Sequence, residues 1–266
     1  MATSPLYLGT SSWTAVGWET AFYPPGIKET QFLGFYSREF NSVEIDSTFY
    51  RIPAARTVQQ WCERTPEGFV FAAKLPQTIT HEKVLVGAED DLRAFLDVMD
   101  LLGPKLGPLL IQLPYFNKQK FAGLDSFLRV LEPFLGSLPR GHLWALEFRN
   151  RHWLSEKFFS VLRSQGVAFT LVDHPWMPRP EEVFERGDPL TADFTYVRWL
   201  GDRKGIEERT LVWDRTIVDR REELRDWVRI LKELQKRGLR IFAFANNHYA
   251  GYAPETVHQF NEIWEE

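Results

Sequence analysis

Ser42-Val43-Glu44-Ile45-Asp46 reads as a β-strand that carries one costly polar side chain among apolar neighbours. Successive side chains of a strand point to opposite faces, so Val43 and Ile45 face one way and Glu44 the other. Four more strand-like runs repeat the pattern, with one polar residue each: Lys74, Gln112, Glu147 and Arg198. The pattern predicts that two acids, two bases and an amide converge on one interior.

Strand-like and helix-like runs alternate along the whole chain of 266 residues. The predicted strands cover residues 7–10, 42–46, 70–74, 109–113, 144–148, 168–173, 195–200 and 241–246. The predicted helices cover residues 30–40, 89–102, 156–165, 219–237 and 253–264, with one more beginning at Pro53 and with Ser155 as a helix cap. Eight units of about 33 residues suit a βα barrel.

This alternation predicts an α/β protein, a single (β/α)8 TIM-like barrel domain over residues 1–266. A doubly wound open sheet is the alternative, but its glycine-rich turn after the first strand is missing from Gly9-Thr10-Ser11-Ser12-Trp13. The sixth βα unit is expected to be irregular, because residues 174–180 are rich in proline.

The composition of the chain limits the classes of function that we expect for it. A net charge of −4, with 44% hydrophobic residues, argues against indiscriminate nucleic-acid binding, although a local basic lining remains compatible with phosphate. The chain has one cysteine, Cys62, so an internal disulfide is excluded. With no export signal and no apolar run near ~20 residues, we expect a cytoplasmic protein without a membrane partner.

Polar residues late in the predicted strands are the candidate site, because the loops after the strands form the functional rim of βα barrels. The candidate catalytic residues are Glu44, Lys74, Glu147 and Asp173. The candidate substrate-binding residues are Trp13, Tyr50, Gln112, Arg149, Arg198, Asn246 and Asn247. Cations beside carboxylates suit a phosphate-bearing substrate, a small anion or a nucleic acid, with a carboxylate activating water. If a metal binds, carboxylate and amide oxygens favour Mg²⁺ or Mn²⁺ over zinc.

Three other interpretations stay open. Glu44–Lys74 and Glu147–Arg198 could be internal ion pairs that only hold the barrel together. Two carboxylates with rim tryptophans also suit a glycoside hydrolase. A module that binds an anionic metabolite or single-stranded nucleic acid without catalysis is the third. A hydrolase of the phosphoester class is favoured, while the oligomeric state is open.

Several motifs resemble a known family. They are Gly9-Thr10-Ser11-Ser12-Trp13, Phe22-Tyr23-Pro24, Val43-Glu44-Ile45-Asp46-Ser47-Thr48-Phe49-Tyr50-Arg51, Thr80-His81, Leu113-Pro114, Glu147-Phe148-Arg149, Tyr196-Val197-Arg198 and Asn246-Asn247. In this order they resemble the YecE-like family, domain of unknown function 72. The resemblance implies a TIM-like barrel with an open polar cleft, no established reaction, and a fold similar to the endonuclease IV group. Asp46 stands where this family commonly has asparagine, and adds a candidate metal ligand.

Overall fold

A computed structural model describes residues 4–266. Its eight strands are β1 (Leu6–Thr10), β2 (Ser42–Ile45), β3 (Val70–Lys74), β4 (Leu106–Gln112), β5 (Trp144–Glu147), β6 (Ala168–Asp173), β7 (Phe194–Trp199) and β8 (Arg240–Ala245). All eight predicted strands are present, and their ends move by at most three residues.

The strands form one parallel sheet in the order β1-β8-β7-β6-β5-β4-β3-β2. β1 pairs with β8 from Leu6↔Ile241 to Thr10↔Ala245, so the first and last strands are neighbours. The sheet is therefore a nearly closed barrel, which confirms the (β/α)8 TIM-like fold and rules out the open-sheet alternative.

Helices cover the outside of the barrel. Their bounds are α1 (Trp18–Ala21), α2 (Glu29–Glu39), α3 (Ala55–Glu63), α4 (Glu89–Met99), α5 (Leu124–Ser137), α6 (Glu156–Ser164), α7 (Pro180–Glu185), α8 (Arg203–Glu207), α9 (Arg221–Lys236), α10 (Asn247–Ala250) and α11 (Ala253–Glu265). Across residues 4–266, no helix combines the length and the apolar character needed to cross a bilayer.

Several details of the helix prediction were wrong. The helix predicted to begin at Pro53 begins at Ala55, so Pro53 lies before its N-cap. The short helices α1, α7, α8 and α10 were not predicted. The sequence prediction also omits α5, where Pro133 lies inside the helix and reads as a breaker. Ser155 does stand at the N-cap of α6, but its hydroxyl donates to the carbonyl of Trp153 and caps nothing. The irregular sixth unit is present, since residues 174–179 carry no helix and α7 begins only at Pro180.

Side chains close the barrel between β1 and β2. Asn41 accepts from the amide of Leu8 and donates to the carbonyl of Leu6, both at 2.8 Å. The Tyr36 hydroxyl accepts from the amide of Thr10 at 2.8 Å and donates to the carbonyl of Ser42 at 3.1 Å. Gly9 is required here, because a Cβ atom would lie 1.9 Å from the Ser42 carbonyl oxygen.

The barrel interior is apolar towards the amino ends of the strands and polar towards their carboxyl ends. A buried cluster that includes Ala72, Leu110, Ala145 and Phe194 fills the apolar part. Lys74, Gln112, Glu147 and Arg198 come later than these residues along β3, β4, β5 and β7. The fold therefore gathers them towards the carboxyl ends of the strands, where barrel sites lie.

Candidate functional site

Arg198 is the centre of a buried charge cluster. Its Nη2 atom donates to Glu44 Oε1 at 2.7 Å and its Nε atom to the same oxygen at 3.2 Å. The hydroxyl of Tyr196 donates to Glu44 Oε2 at 2.7 Å. Burial and the neighbouring Glu44 raise the pKa of Tyr196 well above its usual value, so this hydroxyl keeps its proton.

Glu147 binds two arginines with one carboxylate. Arg198 Nη1 donates to Glu147 Oε2 at 2.6 Å, while Arg149 Nε donates to Oε1 at 2.8 Å. Burial alone would raise the pKa of Glu147, but the two guanidinium groups outweigh it and hold the pKa at about 2. Glu147 is therefore ionised at neutral pH, and it fixes the direction of Arg149.

The cluster is closed to solvent. Glu44 and Glu147 are 0% exposed and Arg198 is 3% exposed. The Glu147–Arg198 ion pair of the structural interpretation is present, whereas Glu44 pairs with Arg198 rather than with Lys74. With their oxygens already hydrogen-bonded, neither glutamate reaches a substrate in this conformation, and both serve to hold the neighbouring cations.

Lys74 pairs with Asp46 at the mouth of the barrel. Its Nζ atom lies 3.1 Å from Asp46 Oδ1 and 4.1 Å from the centre of the Phe49 ring. The hydroxyl of Thr48 donates to the backbone carbonyl of Lys74 at 2.7 Å and anchors this corner. The Asp46 side chain is 34% exposed and that of Lys74 10%, so this pair is more accessible than the glutamates.

Arg149 opens into a cavity of about 840 Å³, here called the basic pocket. Its lining includes the cations Lys118, Arg149 and Arg151, the imidazoles of His152 and His174, and the aromatic residues Tyr115, Phe116, Trp153 and Trp176. No aspartate or glutamate of the described residues lines it. Tyr115 and Trp176 are 68% and 77% exposed, so their rings are available to a ligand.

His174 adds a neutral donor to the basic pocket. Burial and the charge of Arg149 lower its pKa to about 4, so the ring is uncharged at neutral pH. The amide of Trp176 donates to its Nδ1 atom at 3.1 Å. The ring proton must then be on Nε2, which can donate to a bound oxygen atom.

The structure does not bring Asp173 to this cluster. It accepts hydrogen bonds from the Trp227 indole at 2.8 Å and the Tyr249 hydroxyl at 3.0 Å, between the barrel and the helices. Asp173 is level with Trp199 and Val172 with Arg198, so Asp173 lies on the face opposite to Arg198. Its predicted place among the convergent side chains was wrong.

The other predicted binding residues separate into two groups. Trp13 packs edge-on against Trp61 at 5.3 Å, and the half-buried Gln112 donates to the Leu113 carbonyl at 2.9 Å. Tyr50, Asn246 and Asn247 line a second cavity at the mouth, of about 300 Å³. Tyr196 was missed, although its place two residues before Arg198 puts it on the same face of β7.

No group of three or more His, Cys, Asp or Glu side chains in residues 4–266 is arranged to hold a metal ion. A cation that used Glu44 or Glu147 would first have to displace Arg198, Tyr196 or Arg149 from their oxygens. A Mg²⁺ or Mn²⁺ ion therefore stays a prediction from the sequence.

The comparisons with known proteins agree with the fold and its motifs. The family described as protein of unknown function DUF72 matches residues 7–266. The chain belongs to the DUF72 family. UPF0759 protein YunF of Bacillus subtilis (strain 168) is 28% identical, over 97% of this chain and 94% of YunF. UPF0759 protein YecE of Escherichia coli (strain K12) is 27% identical, over 98% of this chain and 92% of YecE.

A solved structure supports the same assignment. The DUF72 family protein TM1631 of Thermotoga maritima MSB8 superposes with a TM-score of 0.77 at 28% identity, covering 98% of this chain and 100% of that one. The resemblance to the YecE-like family is therefore confirmed, and this DUF72 chain has a TIM-like barrel and a family function that is not known.

Proposed function

We propose that the basic pocket binds a phosphate-bearing substrate of the nucleotide or single-stranded nucleic-acid class, and that the protein acts on its phosphoester bond. One observation carries the proposal. Three cations and two imidazoles line this pocket and no carboxylate of residues 4–266 does, although the whole chain has a net charge of −4. Such a local concentration of positive charge attracts anions, although the net charge of the molecule is negative.

Arg149 is the anchor of the proposed complex. Glu147 holds its guanidinium through Nε and Nη2, at 2.8 and 2.5 Å, so the group is oriented before any ligand arrives. Its side chain is still 22% exposed. An oriented guanidinium favours phosphate oxygens, which it binds by charge-assisted hydrogen bonds. The exposed rings of Tyr115 and Trp176 provide stacking faces for a base.

In this proposal Asp46 and Lys74 carry out the chemistry, because they are more accessible than the buried glutamates. Proton transfer requires contact with the reacting atoms, which Glu44 and Glu147 lack because they are fully buried. Asp46 keeps a partly exposed carboxylate, with its buried Oδ1 atom beside the ammonium group of Lys74. In this arrangement Asp46 moves the proton, Lys74 stabilises developing negative charge, and Glu147 is a positioning residue for Arg149.

The binding test uses a fluorescent single-stranded oligonucleotide, read by anisotropy. Arg149→Ala should weaken binding about tenfold or more, because a charge-assisted hydrogen bond contributes about 1.5–3 kcal/mol. Arg93→Ala is the matched control, since Arg93 is 71% exposed and its recorded partner is Asp90 on the same helix. Affinity should also fall as salt rises. Equal affinities of the two variants would refute the proposed binding site.

A second assay separates an enzyme from a binding module. Wild type, Lys74→Ala and Asp46→Asn are compared on a panel of phosphoesters, with oligonucleotide binding measured alongside. Turnover that both substitutions reduce supports the enzyme. Binding without turnover of any phosphoester leaves the non-catalytic module. A glycoside hydrolase gains no support from Glu44 and Glu147, because both are sealed from a sugar ring.

A further inference from the structure

A second cavity lies on the other side of the barrel mouth from the basic pocket, where β1, β2 and β8 end. It has a volume of about 300 Å³, at the lower end of ligand sites, and we call it the small pocket. Its lining is Thr10, Ser11, Ser12, Trp18, Asp46, Ser47, Tyr50, Ala245, Asn246, Asn247, His248 and Ala253. It shares no lining residue with the basic pocket.

Three buried polar atoms of this lining have no hydrogen-bond partner within residues 4–266. They are Ser11 Oγ, the indole Nε1 of Trp18 and Asp46 Oδ1. Ser11 is 6% exposed and Trp18 is 1% exposed, so bulk water does not reach them freely. Asp46 Oδ1 lies near Lys74 Nζ without the alignment of a hydrogen bond. Buried groups without partners are rare in folded proteins and costly, so three around one cavity indicate a place for a bound group.

The roles of these atoms define the ligand. An indole N–H only donates, an ionised carboxylate only accepts, and a serine hydroxyl does both. A fully ionised inorganic anion offers acceptors to Trp18 but no donor to Asp46 Oδ1. An ammonium ion suits Asp46 and leaves the indole unpaired. A hydroxyl group, like a water molecule, donates to the carboxylate and accepts from the indole, so it satisfies both atoms.

Other lining residues suit a ring that carries several hydroxyl groups. Asn246 and Asn247 use Oδ1 for their bonds to His248 and Ala253, which leaves each Nδ2 as a donor. The ring of Tyr50, 73% exposed, offers a flat face to the C–H side of a sugar. We infer that the small pocket binds a neutral polyhydroxylated ligand, a single sugar ring held by Ser11, Trp18 and Asp46. The inference does not depend on ligand binding in the basic pocket.

The test follows the indole N–H signals of isotope-labelled protein by NMR while D-ribose, D-glucose, adenosine monophosphate or inorganic phosphate is added. The chain has 10 tryptophans, so the Trp18 signal is assigned by its loss in Trp18→Phe. Trp199 is the internal control, because its Nε1 atom is equally buried and unpartnered but lies outside the small pocket. A sugar should shift the Trp18 signal and leave the Trp199 signal in place.

Variants then identify the contacts. Ser11→Ala should weaken sugar binding about threefold to tenfold, as expected for the loss of one neutral hydrogen bond. Trp18→Phe retains an aromatic ring next to Phe22 and Tyr252 while it removes the donor, and should weaken binding by a similar factor. The variants would refute the inference if they bound the sugar as tightly as wild type. A Trp18 signal that responds to phosphate alone, or to no ligand, would refute it too.

Arg149→Ala helps to decide whether the ligand is a free sugar or the sugar of a nucleotide. If ribose binds, adenosine monophosphate binds no more tightly, and Arg149→Ala changes neither affinity, the ligand is a free sugar. If adenosine monophosphate binds more tightly than ribose, the sugar is part of a nucleotide, and Arg149→Ala shows whether its phosphate depends on Arg149. Both outcomes support the small pocket, and the oligonucleotide assay reports on the basic pocket separately.

Discussion

Glu147 holds two arginines with one carboxylate, so its removal should be felt by both. Glu147→Gln leaves the volume unchanged but removes the charge that Arg149 and Arg198 share. Breaking a buried ion pair typically costs about 3–5 kcal/mol, and we expect the free energy of unfolding to fall by that order. Urea denaturation measures it. Asp125→Asn, which removes an exposed pair with Lys157, is the control and should change little. Equal effects would contradict the view that the Glu147 carboxylate holds both arginines.

His174 should make the protein less stable in acid. Its pKa is about 4 in the folded chain, below the ordinary 6.5. Between these values the unfolded chain binds more protons than the folded one, so this contribution is complete above about pH 6.5 and is lost as the pH falls towards 4. His174→Asn keeps an acceptor for the Trp176 amide and removes the titration. The loss of stability from about pH 7 to about pH 5 should therefore be smaller in this variant.

Residue patterns predicted which side chains meet, but not how they pair. The alternation along β2, β5 and β7 puts Glu44, Glu147 and Arg198 on one face, as observed. Their partners depend on how the strands are staggered around the barrel, which the sequence does not encode locally. β6 gave no such signal, since apolar residues occupy both of its faces, and Asp173 was assigned to the wrong one.

At the scale of elements, side chains join β1 to β2, because the described strands form no ladder between these two. Tyr36→Phe removes the hydroxyl that accepts from Thr10 and donates to Ser42. A buried amide without a partner costs about 1–3 kcal/mol, and denaturant unfolding should report a loss of that size. Tyr7→Phe is the control, because the Tyr7 ring stacks on Phe242 and its hydroxyl makes no hydrogen bond within residues 4–266. An unchanged midpoint for Tyr36→Phe would contradict this view of barrel closure.

The helix prediction succeeded for α9, where the helical spacing of apolar residues is regular. It failed for α5, where a proline interrupts that spacing. α9 has five buried residues on one stripe, Leu224, Trp227, Val228, Leu231 and Leu234, and its predicted bounds differ by one or two residues. α5 has an equally apolar buried side, but Pro133 interrupts its last turns. Packing against the barrel keeps this helix intact, and such tertiary support cannot be judged from the local sequence.

At the scale of the whole molecule, we expect the buried charges to orient Arg149 and to add little to the free energy of unfolding. Removing them all at once tests this, with Glu44→Leu, Glu147→Leu, Arg198→Met and Tyr196→Phe combined. Replacement of a complete buried ionic group by apolar side chains is often neutral, or stabilises by about 1–4 kcal/mol. The combined variant should therefore be at least as stable as wild type in urea.

Arg198→Met alone is the control, because it leaves Glu44 and Glu147 buried without a shared cation. We expect this single variant to lose about 3–5 kcal/mol. The combined variant should fold but bind the oligonucleotide more weakly, since Arg149 has lost the carboxylate that orients it. If it instead bound as tightly as wild type, Arg149 would not need the cluster, and the interior charges would have no part in the proposed site.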